Sequence, residues 1–158
     1  MKSIGDYIIY RRDVCKIIDY KKINNNDYYV LEPVNDNSLH ITIPIDNVYI
    51  KELMNITELE ELINNIPNID IIEENDRNIE NKYKELLDSG IHENLIRIIK
   101  TTYIRNKNRV DNKKKISERD KHYFDLAEHY LYSEIGILLN KNFEDTKKYI
   151  VDILEKLK

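Results

Sequence analysis

Glu118, His122, Asp125 and His129 follow one another at steps of four, three and four residues, which sets two carboxylates and two imidazoles along one side of a helix. These are zinc-ligand types, and a metal held by them would tighten the fold. The same spacing also fits a solvated polar face beside an apolar stripe. That plainer arrangement is the expectation, with no metal and no cofactor. Cys15 is the single cysteine, so no internal disulfide can form. It falls in a β-rich stretch and is expected to be a small core residue. The sequence has no glycine-rich phosphate loop and no nucleophile motif, so neither catalysis nor a small-molecule substrate is expected.

Charge offers a stronger pattern. The 158 residues carry a formal net charge of −4, but it is unevenly spread. Residues 52–96 hold twelve acidic and three basic groups, a net −9, whereas residues 97–121 hold ten basic and three acidic groups, a net +7. Screening confines phosphate attraction to about 8–10 Å, so a local +7 segment matters more to a polyanion than the sign of the whole chain. Arg97, Lys100, Arg105, Lys107, Arg109, Lys113, Lys114, Lys115, Arg119 and Lys121 are therefore the candidate DNA-binding residues. The alternative for such a run is a solvated lysine-rich linker. No stretch of eighteen apolar residues occurs and the first twenty lack an apolar run, so a cytoplasmic protein with no membrane partner is expected.

Positioning these groups falls to a long helix and its neighbours. Ser117 is a suitable N-cap, Glu118 and Asp120 suit the positive first turn, and Phe124, Ala127, Leu131, Ile135 and Leu138 form an apolar stripe widened by Tyr123 and Tyr130. Lys121, His122, Asp125, Glu128 and His129 occupy the opposite face. Upstream, Asp76–Ser89 should be a helix with Ile79, Tyr83, Leu86 and Leu87 inward and Gly90 at its C-cap. Residues 91–109 should be another, packed through Leu95, Ile98, Ile99 and Tyr103. Asn142–Asp145 should cap a last helix with Tyr149, Ile150, Ile153, Leu154 and Leu157 inward. Thr57-Glu58-Leu59-Glu60 reads as a capping box for a short helix over 57–65, broken by Pro67. Residues 68–75 read as irregular.

The first fifty residues read as β. Runs at 7–10, 14–20, 28–32 and 39–43 are rich in β-branched and aromatic residues, with a short run at 48–50. Asn24–Asp27 and Asn35–Asn37 separate them as turns. So many short strands in so few residues point to a small, strongly curved barrel that closes its own edges.

Two blocks of the sequence resemble the CarD family of bacterial transcription regulators. Ile4-Gly5-Asp6-Tyr7-Ile8-Ile9-Tyr10, Tyr28-Tyr29-Val30-Leu31 and Ile41-Thr42-Ile43-Pro44-Ile45-Asp46-Asn47 match the family's N-terminal motifs. Ile116, Ser117, Asp120, Lys121, Ala127, Ser133, Glu134 and Ile135 match its C-terminal helix signature without a gap. The resemblance implies a Tudor-like barrel that binds the RNA polymerase β subunit and a helical domain that contacts promoter DNA at the upstream edge of the bubble. Only Lys121 coincides with a basic position of the family. Asp13 stands where relatives carry a turn glycine, and Thr42 where some carry a basic residue facing polymerase. The tryptophan that wedges the minor groove in many relatives falls on Asp76, and the chain has no Trp, with Tyr83 the nearest aromatic substitute.

The expectation is thus an α+β chain: a Tudor-like antiparallel β-barrel over residues 1–52, with polymerase-contacting residues unassigned, then an all-α domain of four to five helices over 53–158. Its function would be non-catalytic transcription regulation, through the RNA polymerase β subunit and promoter DNA, acting on open-complex formation. The alternative is an adaptor on RNA polymerase that has lost direct DNA engagement.

Overall fold

A computed structural model describes residues 2–156, with side chains through residue 153. The chain divides into two compact units, Met1–Met54 and Asn55–Lys158.

The first unit is a five-stranded antiparallel sheet of β1 (Tyr7–Tyr10), β2 (Asp13–Ile23), β3 (Asn26–Pro33), β4 (Ile41–Pro44) and β5 (Ile50–Lys51), in the order β4-β3-β2-β1-β5. The β2–β3 hairpin dominates it. Asn24 and Asn25 both hold positive φ, at 52° and 66°, the conformation that a two-residue hairpin turn with the right twist demands. A register shift between Ile17 and Asp19 then bends the long strand β2. The sheet is open, however. Its edge strands β4 and β5 have four and two residues and do not pair with each other among the described residues, too little ladder for the expected closure. Ile8, Cys15, Ile17, Tyr29, Leu31 and Ile43 form its core.

Three local expectations shift. Val48 and Tyr49 belong to a turn rather than a strand, and Val48 is 83% exposed. Leu39 and His40 precede β4 rather than opening it. The left-handed residue of the β1–β2 turn is Arg11 (φ 60°), not Asp13, which begins β2 as an extended residue. The Arg11 amide donates to the Tyr49 carbonyl at 3.0 Å, and its guanidinium lies 4.1 Å from the Tyr49 ring centroid. Those contacts offset the steric strain of the turn.

The second unit is helical: α1 (Ile56–Asn65), a 3₁₀ turn (Ile66–Asn68), α2 (Ile79–Asp88), α3 (His92–Asp111), α4 (Glu118–Leu139) and α5 (Phe143–Lys156). The capping box of α1 is Asn55/Glu58 rather than Thr57/Glu60. The Asn55 side chain accepts from the Glu58 amide at 2.8 Å, and Glu58 accepts from the Asn55 amide at 3.2 Å. The short Asn side chain makes the same reciprocal bond two residues earlier, so the helix starts sooner. As expected, Ser117 caps α4, accepting from the Asp120 amide at 3.2 Å, and Asn142 caps α5, accepting from the Asp145 amide at 2.8 Å. Gly90, at φ 71°, follows α2 in the left-handed conformation.

The core of this unit joins Ile72, Ile79, Tyr83, Leu86 and Leu87 to Ile98 of α3 and to Tyr123 and Ala127 of α4. Each large apolar side chain buried there contributes roughly 1.5–3 kcal/mol. Tyr103 is 56% exposed rather than packed, and Thr101 and Thr102 are buried on α3 instead. Each threonine hydroxyl donates back to a carbonyl four residues earlier, and Thr101 also accepts from the Ile72 amide at 2.8 Å, which fixes the irregular segment. Tyr149 is 37% exposed, while Ile150 is buried as expected. Leu154 and Leu157 lie outside the described side chains. Among the described residues, no helix is long and apolar enough to cross a membrane.

Candidate nucleic-acid interface

The basic segment is built around a buried acid. Asp120 sits in the first turn of α4 with no exposed surface, because positions 120, 123 and 127 share the inward side of that helix. A carboxylate without water needs donors from its neighbours. Tyr83 of α2 donates to its Oδ1 at 3.0 Å. From α3, Arg105 Nε donates to its Oδ2 at 2.8 Å, and Arg109 Nη1 lies 3.5 Å from the same atom. Arg105 and Arg109 are four residues apart, one turn of α3, so both face the same acid. Arg119, beside Asp120 in sequence, brings its Nε to within 3.8 Å of Oδ1.

A second carboxylate closes this cluster from outside. Asp76 lies in the turn before α2 with its side chain 70% exposed. It pairs with Arg105 Nη2, its Oδ1 lies 3.8 Å from Arg119 Nη2, and its backbone carbonyl accepts from Arg119 Nη1 at 3.0 Å. The Arg105 hydrogen bond, followed by the charge of the same residue, holds the Asp76 carboxyl below its ordinary 3.8. Burial would lower the Arg105 guanidinium, but its bonds to Asp76 and Asp120 outweigh that and raise it. Burial first, then the Asp120 charge, raises the Tyr83 phenol. Tyr83, fully buried and committed to Asp120, is no substitute for the tryptophan wedge.

The ten candidate cations therefore fall into two groups. Arg105, Arg109 and Arg119 form the arginine cluster. Lys100 Nζ donates to the carbonyls of Ile66 and Ile69 at 2.9 and 2.6 Å, satisfying backbone groups where α1 and its 3₁₀ turn end. Arg97 donates to the Asp70 carbonyl at 3.2 Å, and Lys121 pairs with Asp125 at 2.7 Å. These six have internal partners. Lys107, Lys113, Lys114 and Lys115 are exposed and in no ion pair among the described residues. Three of the four lie in the connection between α3 and α4, which Lys113 enters at φ 58°. There the Lys113 and Lys114 amides donate to Val110 and Arg109 carbonyls at 3.0 and 2.8 Å.

Of the zinc-type residues on α4, Glu118, His122 and Asp125 are exposed and His129 is half-buried. Lys121 engages Asp125, and Glu128 is buried with its carboxylate 3.2 Å from Lys147 Nζ, not on the solvated face. Burial pushes the Glu128 carboxyl up, and Lys147 only partly reverses this. Among the described residues, no group of three or more His, Cys, Asp or Glu is arranged to hold a metal. Cys15 is fully buried, and burial followed by the Asp13 charge pushes its thiol up to about 11.

Sequence reasoning missed Asp120 as the acid the arginines gather around, and the buried Glu134 that His92 meets at 2.8 Å. In both cases the signal was a charge on the apolar side of α4. Compared with models of known protein families and with curated proteins, the chain matches none.

Proposed function

We propose that the chain is a non-catalytic transcription regulator of the kind its CarD-like motifs imply, with a protein partner for the sheet unit and promoter DNA for the helical unit. The observation that carries the DNA half is the uncommitted charge of Lys107, Lys113, Lys114 and Lys115, three of them on a short connection beside a helix N-terminus. For the protein half, the partner would be the RNA polymerase β subunit. Two features support a Tudor-like module: β5 returns to pair with β1, and β2 is bent at its bulge. The open edge of β4 leaves backbone donors and acceptors that a partner strand could use. Such a regulator shifts promoter opening only by binding the open state more tightly than the closed one.

The test is binding to fork DNA in the presence of polymerase over a range of salt. If the four lysines each neutralise one phosphate, log affinity falls against log salt with a slope of roughly −3.6. Absent or salt-insensitive DNA binding removes the DNA half, and failure to capture the β subunit at micromolar concentration removes the protein half.

A second reading, an adaptor on RNA polymerase without DNA engagement, is favoured by one observation: six of the ten candidate cations already have internal partners. It predicts polymerase binding with no salt-dependent DNA term.

A further inference from the structure

Arg105, Arg109 and Arg119 bring three guanidinium groups to two carboxylates, and the two carboxylates are unlike. Asp120 has no exposed side-chain surface and is held by three donors, Tyr83, Arg105 and Arg109, so it belongs to the core. Asp76 comes from a turn, is 70% exposed, and covers the outer side of Arg105 and Arg119, whose side chains are only 23% and 31% exposed. An exposed carboxylate holds its partner weakly because water and salt compete for it. The pairing also leaves the cluster incompletely satisfied. Arg119 Nε is buried and makes no hydrogen bond among the described residues, with Asp120 Oδ1 3.8 Å away. Among the ion pairs of the described residues, these three cations meet two anions, an excess of one positive charge.

We infer that Arg105, Arg109 and Arg119 form a phosphate-binding site that Asp76 occupies as an internal plug. A phosphate oxyanion offers more acceptor oxygens than a carboxylate and bonds guanidinium groups in pairs. Taking the place of the Asp76 side chain, it would meet Arg105 Nη2 and Arg119 Nη2 and add the missing negative charge, with Arg109 behind them. Whether the phosphate belongs to a nucleic-acid backbone or to a small free anion, the chemistry at the arginines is the same. The site does not depend on the four exposed lysines, so it can stand or fall separately from their proposed role.

The test uses the full chain and two probes, inorganic phosphate and a short DNA duplex, with titrations of the parent, Asp76→Asn, Glu74→Gln and the double variant Asp76→Asn with Arg119→Gln. Glu74 is exposed, two positions before Asp76, and pairs with none of the three arginines among the described residues, so its variant makes the same change in net charge. Asp76→Asn should bind inorganic phosphate several-fold more tightly than the parent, up to about tenfold, a free-energy change of up to about 1.4 kcal/mol. Glu74→Gln should bind as the parent does, and the double variant should lose the gain. If the duplex also gains, with a salt slope steeper by about 0.9, the physiological source is a nucleic-acid backbone; a gain for inorganic phosphate alone assigns a small free anion. If Asp76→Asn is too unstable to titrate, its melting midpoint supplies the readout. Phosphate should raise it more than chloride of equal ionic strength, because a ligand of the native state stabilises that state. No gain with either probe in a folded Asp76→Asn, an equal gain in Glu74→Gln, a gain surviving Arg119→Gln, or a midpoint indifferent to phosphate overturns the inference.

Discussion

The Tyr83 phenol donates to the Asp120 carboxylate across 3.0 Å, joining the middle of α2 to the first turn of α4. Both side chains are fully buried, and Arg105 meets the same carboxylate from α3. Three helices thus share one acid. The Tyr83 and Tyr123 rings, with centroids 5.0 Å apart, pack beside it. An acid buried among cations is costly to leave half-paired. Asp120→Asn should therefore destabilise the helical unit by about 3 kcal/mol in urea unfolding. Tyr83→Phe removes one donor of several and should destabilise it by about 1.5 kcal/mol. In the double variant the two losses should be less than additive, because both act on one network.

Asp76 gives the same cluster an acid limit. Its folded-state carboxyl lies below the ordinary 3.8, so the stabilisation it contributes is fully present above that value and is lost as pH falls through the lowered one. The exposed position makes the contribution small. Urea midpoints followed from neutral to acid pH should decline less steeply on the acid side for Asp76→Asn than for the parent; parallel curves would contradict this.

Glu128 shifts the other way. Burial raises its folded carboxyl above the ordinary 4.5, so the folded state holds this proton more tightly than the unfolded state does. Stability linked to this group then falls as pH rises from the ordinary value through the raised one. Glu128→Gln should flatten that part of the pH profile, and at neutral pH it should stay within about 1 kcal/mol of the parent despite losing the half-exposed Lys147.

The β2–β3 turn allows a stabilising change. Asn25 holds φ at 66°, which asparagine tolerates and glycine adopts freely. Asn24 followed by Gly is the preferred pair for this turn. Asn25→Gly relieves left-handed strain but adds unfolded-state freedom, so it should raise the stability of the sheet unit by only about a few tenths of a kcal/mol, and Asn25→Val should lower it by about 1 kcal/mol or more. Chemical denaturation of both variants measures the difference.

The elements were legible where a local pattern dictates them. Ser117 and Asn142 supplied caps that their own side chains complete, and the hairpin turn followed from consecutive asparagines. The fate of the charges was less legible. Ten cations in twenty-five residues looked like one surface, yet Arg105 and Arg109 turn toward Asp120, and Lys100 toward carbonyls contributed from more than thirty positions away in sequence. The three-step and seven-step relation of Asp120 to Tyr123 and Ala127 already placed an acid on the apolar side. Arg105 and Arg109, one turn apart on α3, then meet that acid. Sheet closure depended on the lengths of β4 and β5, which no local pattern fixes closely.

Separate docking of the two units, as proposed, is measured by reversing Lys113, Lys114 and Lys115 to Glu and determining two affinities on one preparation. Binding to fork DNA in the presence of polymerase should fall by at least about tenfold, with a shallower salt slope, while binding to the β subunit stays at the parent value. Unchanged DNA affinity, or equal loss for both partners in a folded variant, would rule out separate docking through these lysines.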